Sequence, residues 1–213
     1  MYFPRMTKRE RREINKVRPD LDQLKALAHP VRLAMIGRLR ADGPATASSL
    51  AAQLGLNSGA TSYHLRQLAD AGLVVDDADR GNKRDRWWKA AHESTVTEPS
   101  QVDDVEERAV MGAYHGVVAH QAAVQLEQAA AEVPDLPKEW ADLVGASDYN
   151  VYLTPEQVRR VKDAVHAVLG EVAETARDPE SAPADAAPVV FQFHTFPRPG
   201  TLAHRDEPEG DET

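Results

Sequence analysis

The chain has 213 residues, 42% of them hydrophobic and 28% charged, with a net charge of −9 and no cysteine. That balance suits one large or two small globular domains and excludes wholesale disorder, while the missing thiols exclude disulfides, thiolate metal sites and cysteine nucleophiles. No apolar run reaches the roughly 18–20 residues of a membrane span, and the opening Met1–Arg5 lacks the apolar core of a secretion signal, so no membrane partner and a cytoplasmic location are expected.

Residues 1–19 form a basic arm carrying Arg5, Lys8, Arg9, Arg11, Arg12, Lys16 and Arg18. It reads equally as a solvated tail or as an extension along a DNA backbone. Ile14, Val17, Leu21, Leu24 and Leu27 recur at three- to four-residue steps, which predicts helix on either side of Pro19 with Asp20 capping the second segment. Pro30 opens the next helix at its first turn, with Val31, Leu33, Ala34, Ile36 and Leu39 inward, and Gly43-Pro44 ends it. Thr46 or Ser48 caps a third helix with Leu50, Ala51 and Leu54 apolar, closed by Gly55 in the left-handed region. Asn57 or Ser58 then caps a fourth, whose Thr61, Leu65 and Leu68 lie on one stripe before Gly72 stops it.

Leu73–Val75 and Arg86–Ala90 read as two strands joined by the turn residues Asp79-Arg80-Gly81-Asn82, with one of Trp87 and Trp88 facing the core. A long alanine-rich helix is predicted over 102–133, with Val102, Val105, Ala109, Tyr114, Val117, Val118, Val124 and Leu126 on its apolar side and Pro134 and Pro137 breaking it. Tyr149–Leu153 reads as a strand, the stretch behind Thr154-Pro155 as a helix, and Val189–Phe196 as a closing strand. The tail over 197–213 is acidic and rich in Pro and Gly, a composition expected to stay disordered.

The order helix, short helix, turn, helix and basic hairpin over 20–92 is that of a winged helix-turn-helix. The fold class is therefore expected to be α+β and mainly α: a winged helix-turn-helix domain, then a long helix and a small strand–helix–strand unit within 102–196. On the fourth helix Ser58, Gly59, Ser62, Tyr63 and Arg66 form an exposed face narrow enough for a DNA major groove. The hairpin tip adds Arg80, Lys83, Arg84 and Arg86. The acidic total does not oppose this reading, because residues 1–92 hold 17 Lys and Arg against 10 Asp and Glu, whereas 93–213 hold 8 against 24. Only the local field steers binding at physiological salt.

From Ala26 to Ala91 the chain resembles the ArsR-type winged-helix transcriptional regulators, in Leu27-Ala-His-Pro-Val-Arg-Leu33, Leu50-Ala-Ala-Gln-Leu54, Thr61-Ser-Tyr-His-Leu-Arg-Gln-Leu68 and Ala71-Gly-Leu-Val74. The C-terminal half resembles, more weakly, an actinobacterial-type branch of the same regulators. The resemblance implies a homodimer on double-stranded DNA, with Ser58, Ser62, Tyr63 and Arg66 facing the duplex and Gly59 permitting close approach. It also implies a packing or phosphate-contact role for His64, and His29 is read as a local cap.

The family's metal sensing is not expected here. The helix that carries its thiolates reads Ser48-Ser-Leu-Ala-Ala-Gln53, and His115 and His120 stand five residues apart, so their rings diverge by roughly 140° on a helix. No metal or other cofactor is expected. For the C-terminal half, dimerisation stands beside an apolar pocket of Tyr149, Tyr152, Phe191, Phe193 and Phe196 for an unknown small effector. Two rival readings are a winged-helix scaffold for protein interaction and an enzyme using His194 with Glu156 or Asp148. Neither has a supporting motif, and the chain is not expected to be an enzyme.

Overall fold

The computed structural model describes residues 15–78, 80, 85–145, 147–175 and 182–202. Most of the basic arm, the wing tip with Lys83 and Arg84, and the end of the acidic tail lie outside these residues. The chain divides into two compact units between Thr154 and Pro155.

In the first unit a short strand β1 (Lys16–Val17) precedes α1 (Leu21–Leu27), α2 (Pro30–Ala41), β2 (Ala45–Thr46), α3 (Ala47–Leu54) and α4 (Ser58–Asp70). The sheet strands β3 (Val74–Asp76) and β4 (Trp87–Ala90) follow, then β5 (Ser94–Thr95), α5 (Val105–Glu132) and α6 (Lys138–Ala141). This is a mainly helical α+β fold with a winged helix-turn-helix, followed by a long helix.

The helix ends follow local chemistry. Asp20 accepts from the Gln23 amide while the Gln23 side chain returns to the Asp20 N–H, a complete capping box. Thr46 and Ser49 close the same box on α3. At the other end of α3, Gly55 takes φ 65°, and the Leu56 N–H reaches back to the Ala51 carbonyl at 2.9 Å. That is the glycine-terminated stop in which a side chain would be strained. Asn57, rather than Ser58, caps α4 by accepting from Ala60 N–H at 2.8 Å.

The core gathers Leu24 and Leu27 from α1, Met35, Ile36 and Leu39 from α2, Leu50 from α3, Leu65 and Leu68 from α4, and Leu73, Val74 and Trp88 from the sheet. Met111 and Tyr114 of α5 complete it, so the first half of the long helix belongs to the winged-helix core. Its expected apolar side is only partly right. Val124 and Leu126 are exposed where the helix runs on past the surface it packs against, and Val105 and Ala109 are exposed near its start.

Three local expectations are corrected. The chain before Pro19 is strand rather than helix: Lys16 and Val17 pair in parallel with Ser94 and Thr95. A residue before proline is pushed towards extended geometry, and the Asn15 side chain fixes the approach by donating to the Ala91 carbonyl at 3.0 Å. Tyr149–Leu153 and Val189–Phe196 form no strand. Alternation marks two faces, but a strand exists only where a ladder takes up its N–H and C=O groups, and neither stretch has one among the described residues. Conversely, Ala45–Thr46 was too short to be read from the sequence, yet it pairs with Trp87–Trp88 and makes the sheet order β2-β4-β3.

In the second unit α7 (Pro155–Thr175) forms where expected. Residues 182–202 carry no helix or strand. Phe191, Phe193 and Phe196 are exposed there, as Tyr149 and Tyr152 are in the first unit.

Candidate nucleic-acid interface

The α3–turn–α4 unit is set by a buried stripe. Thr61, Leu65 and Leu68 are fully buried, and the Thr61 hydroxyl is satisfied by donating to the Asn57 carbonyl at 3.0 Å. At about 100° per residue, the opposite face must fall on residues 59, 62, 63, 66 and 70. Gly59, Tyr63, Arg66, Gln67 and Asp70 are exposed, as is Ser58 at the first turn, while Ser62 and His64 are half-buried. Gln67 and Asp70 escaped the sequence reading although the same rotation places them beside Tyr63 and Arg66.

The start of α4 suits an anion. Asn57 satisfies the Ala60 amide, and the N–H groups of Ser58 and Gly59, which precede any intrahelical acceptor, have no partner among the described residues. Gly59 has a second reason to lack a side chain, because a Cβ there would stand 3.3 Å from Asn57 Oδ1 and crowd the cap.

His29 is corrected. It occupies the N-cap position of α2, but its side chain makes no capping hydrogen bond. Its ring instead lies against His64, centroids 4.8 Å apart and tilted by 45°. His64 in turn meets the edge of Tyr63 at 5.5 Å. Nδ1 of both histidines is buried without a hydrogen-bond partner among the described residues. Burial first, and the charge of Arg32 second, hold both imidazoles below their usual pKa. Arg32 is anchored by donating to the carbonyls of Lys25 and Ala26, the last turn of α1, where a cation is favoured. Nothing in the sequence announces this pairing, since residues 35 positions apart share no periodicity.

The wing is more self-contained than its composition suggests. Arg86 Nε donates to Asp76 at 2.7 Å while its guanidinium lies 4.1 Å over the Trp88 ring. Asp77, largely buried, accepts from Lys89 at 2.7 Å and faces Arg80 at 3.6 Å. Described wing arginines are thus already paired within the hairpin, and Lys83 and Arg84 lie outside the described residues.

Among the described residues no three His, Asp or Glu side chains converge to hold a metal. His115 instead bonds the Thr97 hydroxyl at 3.0 Å. His194, Glu156 and Asp148 are each exposed, which gives none of them the buried setting that perturbs a catalytic group. No helix among the described residues is long and apolar enough to cross a membrane.

Residues 27–76 match a family model described as a helix-turn-helix domain. The HTH-type transcriptional regulator NmtR of Mycobacterium tuberculosis (strain ATCC 25618 / H37Rv) is 44% identical over 54 residues, which are 25% of this chain and 44% of that protein. The chain thus spans under half the length of that curated relative. A crystal structure of a possible transcriptional regulator for arsenical resistance is 26% identical, covering 56% of this chain and 100% of that one with a TM-score of 0.30. The motifs, the glycine-terminated turn and the family match coincide on one segment, and residues 27–76 are a helix-turn-helix domain.

Proposed function

We propose that the chain is a transcriptional regulator that binds double-stranded DNA as a homodimer, inserting α4 of each protomer into successive major grooves of an inverted repeat. The observation that carries this reading is α4 itself: a helix fully buried on Thr61, Leu65 and Leu68 and open on Ser58, Gly59, Tyr63 and Arg66. Arg66 offers a guanidinium fork suited to guanine, and the free amides at the helix start suit a phosphate. Two-fold symmetry sets the half-sites about 10 base pairs, or a multiple of that, apart. Residues 20–92 act as the DNA-binding domain and 102–196 as the dimerisation region. The absence of cysteine argues against a thiolate-metal signal.

The test is selection from a randomised duplex library with the full chain. Enrichment of an inverted repeat, with binding that weakens steeply as salt rises, is expected. A chain that enriches no duplex and shows no salt-sensitive retention on DNA would instead be a winged-helix scaffold.

A further inference from the structure

We propose that His29 is a positioning residue for sequence readout, holding Tyr63 in its DNA-facing orientation through the ring of His64. The inference rests on the DNA-binding reading above and adds a residue to it that lies off the recognition helix.

Tyr63 is the largest side chain on the open face of α4 and is 53% exposed. A tyrosine on a helix surface samples several χ1 rotamers unless something beside it excludes them. Its support is lateral. The edge contact from His64 at 5.5 Å and 67° restricts the phenol on one side. His64 sits at the border of the buried stripe, about 60° from Thr61 by helical rotation, and is half-buried. What blocks its rotation is the His29 ring at 4.8 Å. His29 is itself held by its place at the start of α2, directly before Pro30, whose ring restricts the backbone preceding it.

The three rings thus form a line from the start of α2 to the open face of α4. Among the described residues neither Nδ1 finds a hydrogen-bond partner, so the contact along this line is made ring against ring. Arg32 lies on the same side and adds its positive field to both rings. The titratable and charged groups facing the pair are Arg32 from α2 and Tyr63 from α4.

The experiment compares His29→Ala and His29→Phe with the wild-type chain, using the duplex most enriched by the wild-type chain from a randomised library and a shuffled duplex of the same composition. The readout is the ratio of the two affinities. His29→Ala is expected to lower that ratio by about two- to tenfold, the worth of one aromatic contact, while affinity for the shuffled duplex and the unfolding midpoint stay close to wild type. His29→Phe, which restores a ring, is expected to recover most of the ratio. An unchanged ratio in His29→Ala, or equal losses on both duplexes, overturns the inference and leaves the DNA-binding reading standing. If the wild-type chain enriches no duplex, that reading falls and this one with it. Should His29→Ala not fold, His29→Leu, which fills the space without a ring, decides in its place: a lowered ratio supports the inference and an unchanged one overturns it.

Discussion

Half-buried imidazoles beside a guanidinium are a liability as the solution acidifies. His29 and His64 are both held below the usual imidazole value, by burial first and by Arg32 next. In the unfolded chain they titrate near 6.5, so below about that pH the unfolded state binds protons that the folded state refuses. Stability therefore falls as pH drops through that window and levels off only below the lowered folded values. The unfolding temperature is expected to decrease from pH 7.5 to 5.5, and to decrease less in His29→Phe; equal slopes would show that the pair does not carry the effect. A second residue-scale expectation concerns Asp76, which occupies the guanidinium of Arg86 at 2.7 Å. Asp76→Asn frees that cation and removes a negative charge from the wing. Non-specific DNA affinity should rise, and the slope of log affinity against log salt should steepen by up to about 0.9, one phosphate contact; fluorescence anisotropy across a salt series reads both. Neither pairing was visible in the sequence, where charge is counted but not connected.

Caps and stops were legible because their chemistry is local. Asp20, Thr46, Gly55, Asn57 and Gly72 act within four residues of where they stand, and each ends or starts a helix as its side chain, or the lack of one, requires. Pairings between distant segments were not. The β1–β5 ladder joins Lys16 to Ser94, and nothing in two short polar stretches announces it. Val189–Phe196 fails in the opposite sense: its alternation is clear, but alternation cannot supply the ladder that makes a strand. The cap of α4 carries the sharpest expectation at this scale. Asn57→Ala removes the acceptor for Ala60 N–H and should cost about 1 kcal/mol in denaturant unfolding. Because the same turn presents the free amides of Ser58 and Gly59, DNA affinity should drop with it. Met111→Ala tests the placing of α5 in the winged-helix core. A methionine only 6% exposed there should cost about 2–4 kcal/mol when truncated; a loss below about 0.5 kcal/mol, the range of surface changes, would mean that α5 is not part of that core.

Across the whole molecule, the two halves of the sequence differ in kind. Residues 1–92 are basic and supply most of the winged-helix core, whereas 93–213 are acidic and, beyond the part of α5 that completes that core, leave large apolar side chains exposed among the described residues. A soluble monomer rarely exposes many such residues together. On α7, Val158, Val161, Val165, Val168 and Val172 fall at alternating three- and four-residue steps, the a and d positions of a heptad seam. Val161 and Val168 are 49% and 62% exposed, so at these two positions the seam is open among the described residues. A second α7 is the simplest cover for it, since identical seams are complementary about a two-fold axis, the symmetry that an inverted-repeat site would also require. Replacing Val161 and Val168 together by Glu places charges at two positions of that seam one heptad apart. If α7 makes the proposed dimer, sedimentation should then show a smaller species than the wild-type chain at the same concentration, and the unfolding of the winged helix, whose core among the described residues ends at Val118, should be unchanged. Affinity for an inverted repeat should fall by about 100-fold or more, because the second half-site loses its tethered partner, while affinity for a single half-site holds. A double variant that remains dimeric would move the dimer contact off α7 and onto the exposed half of α5, where Val124 and Leu126 are the next residues to change.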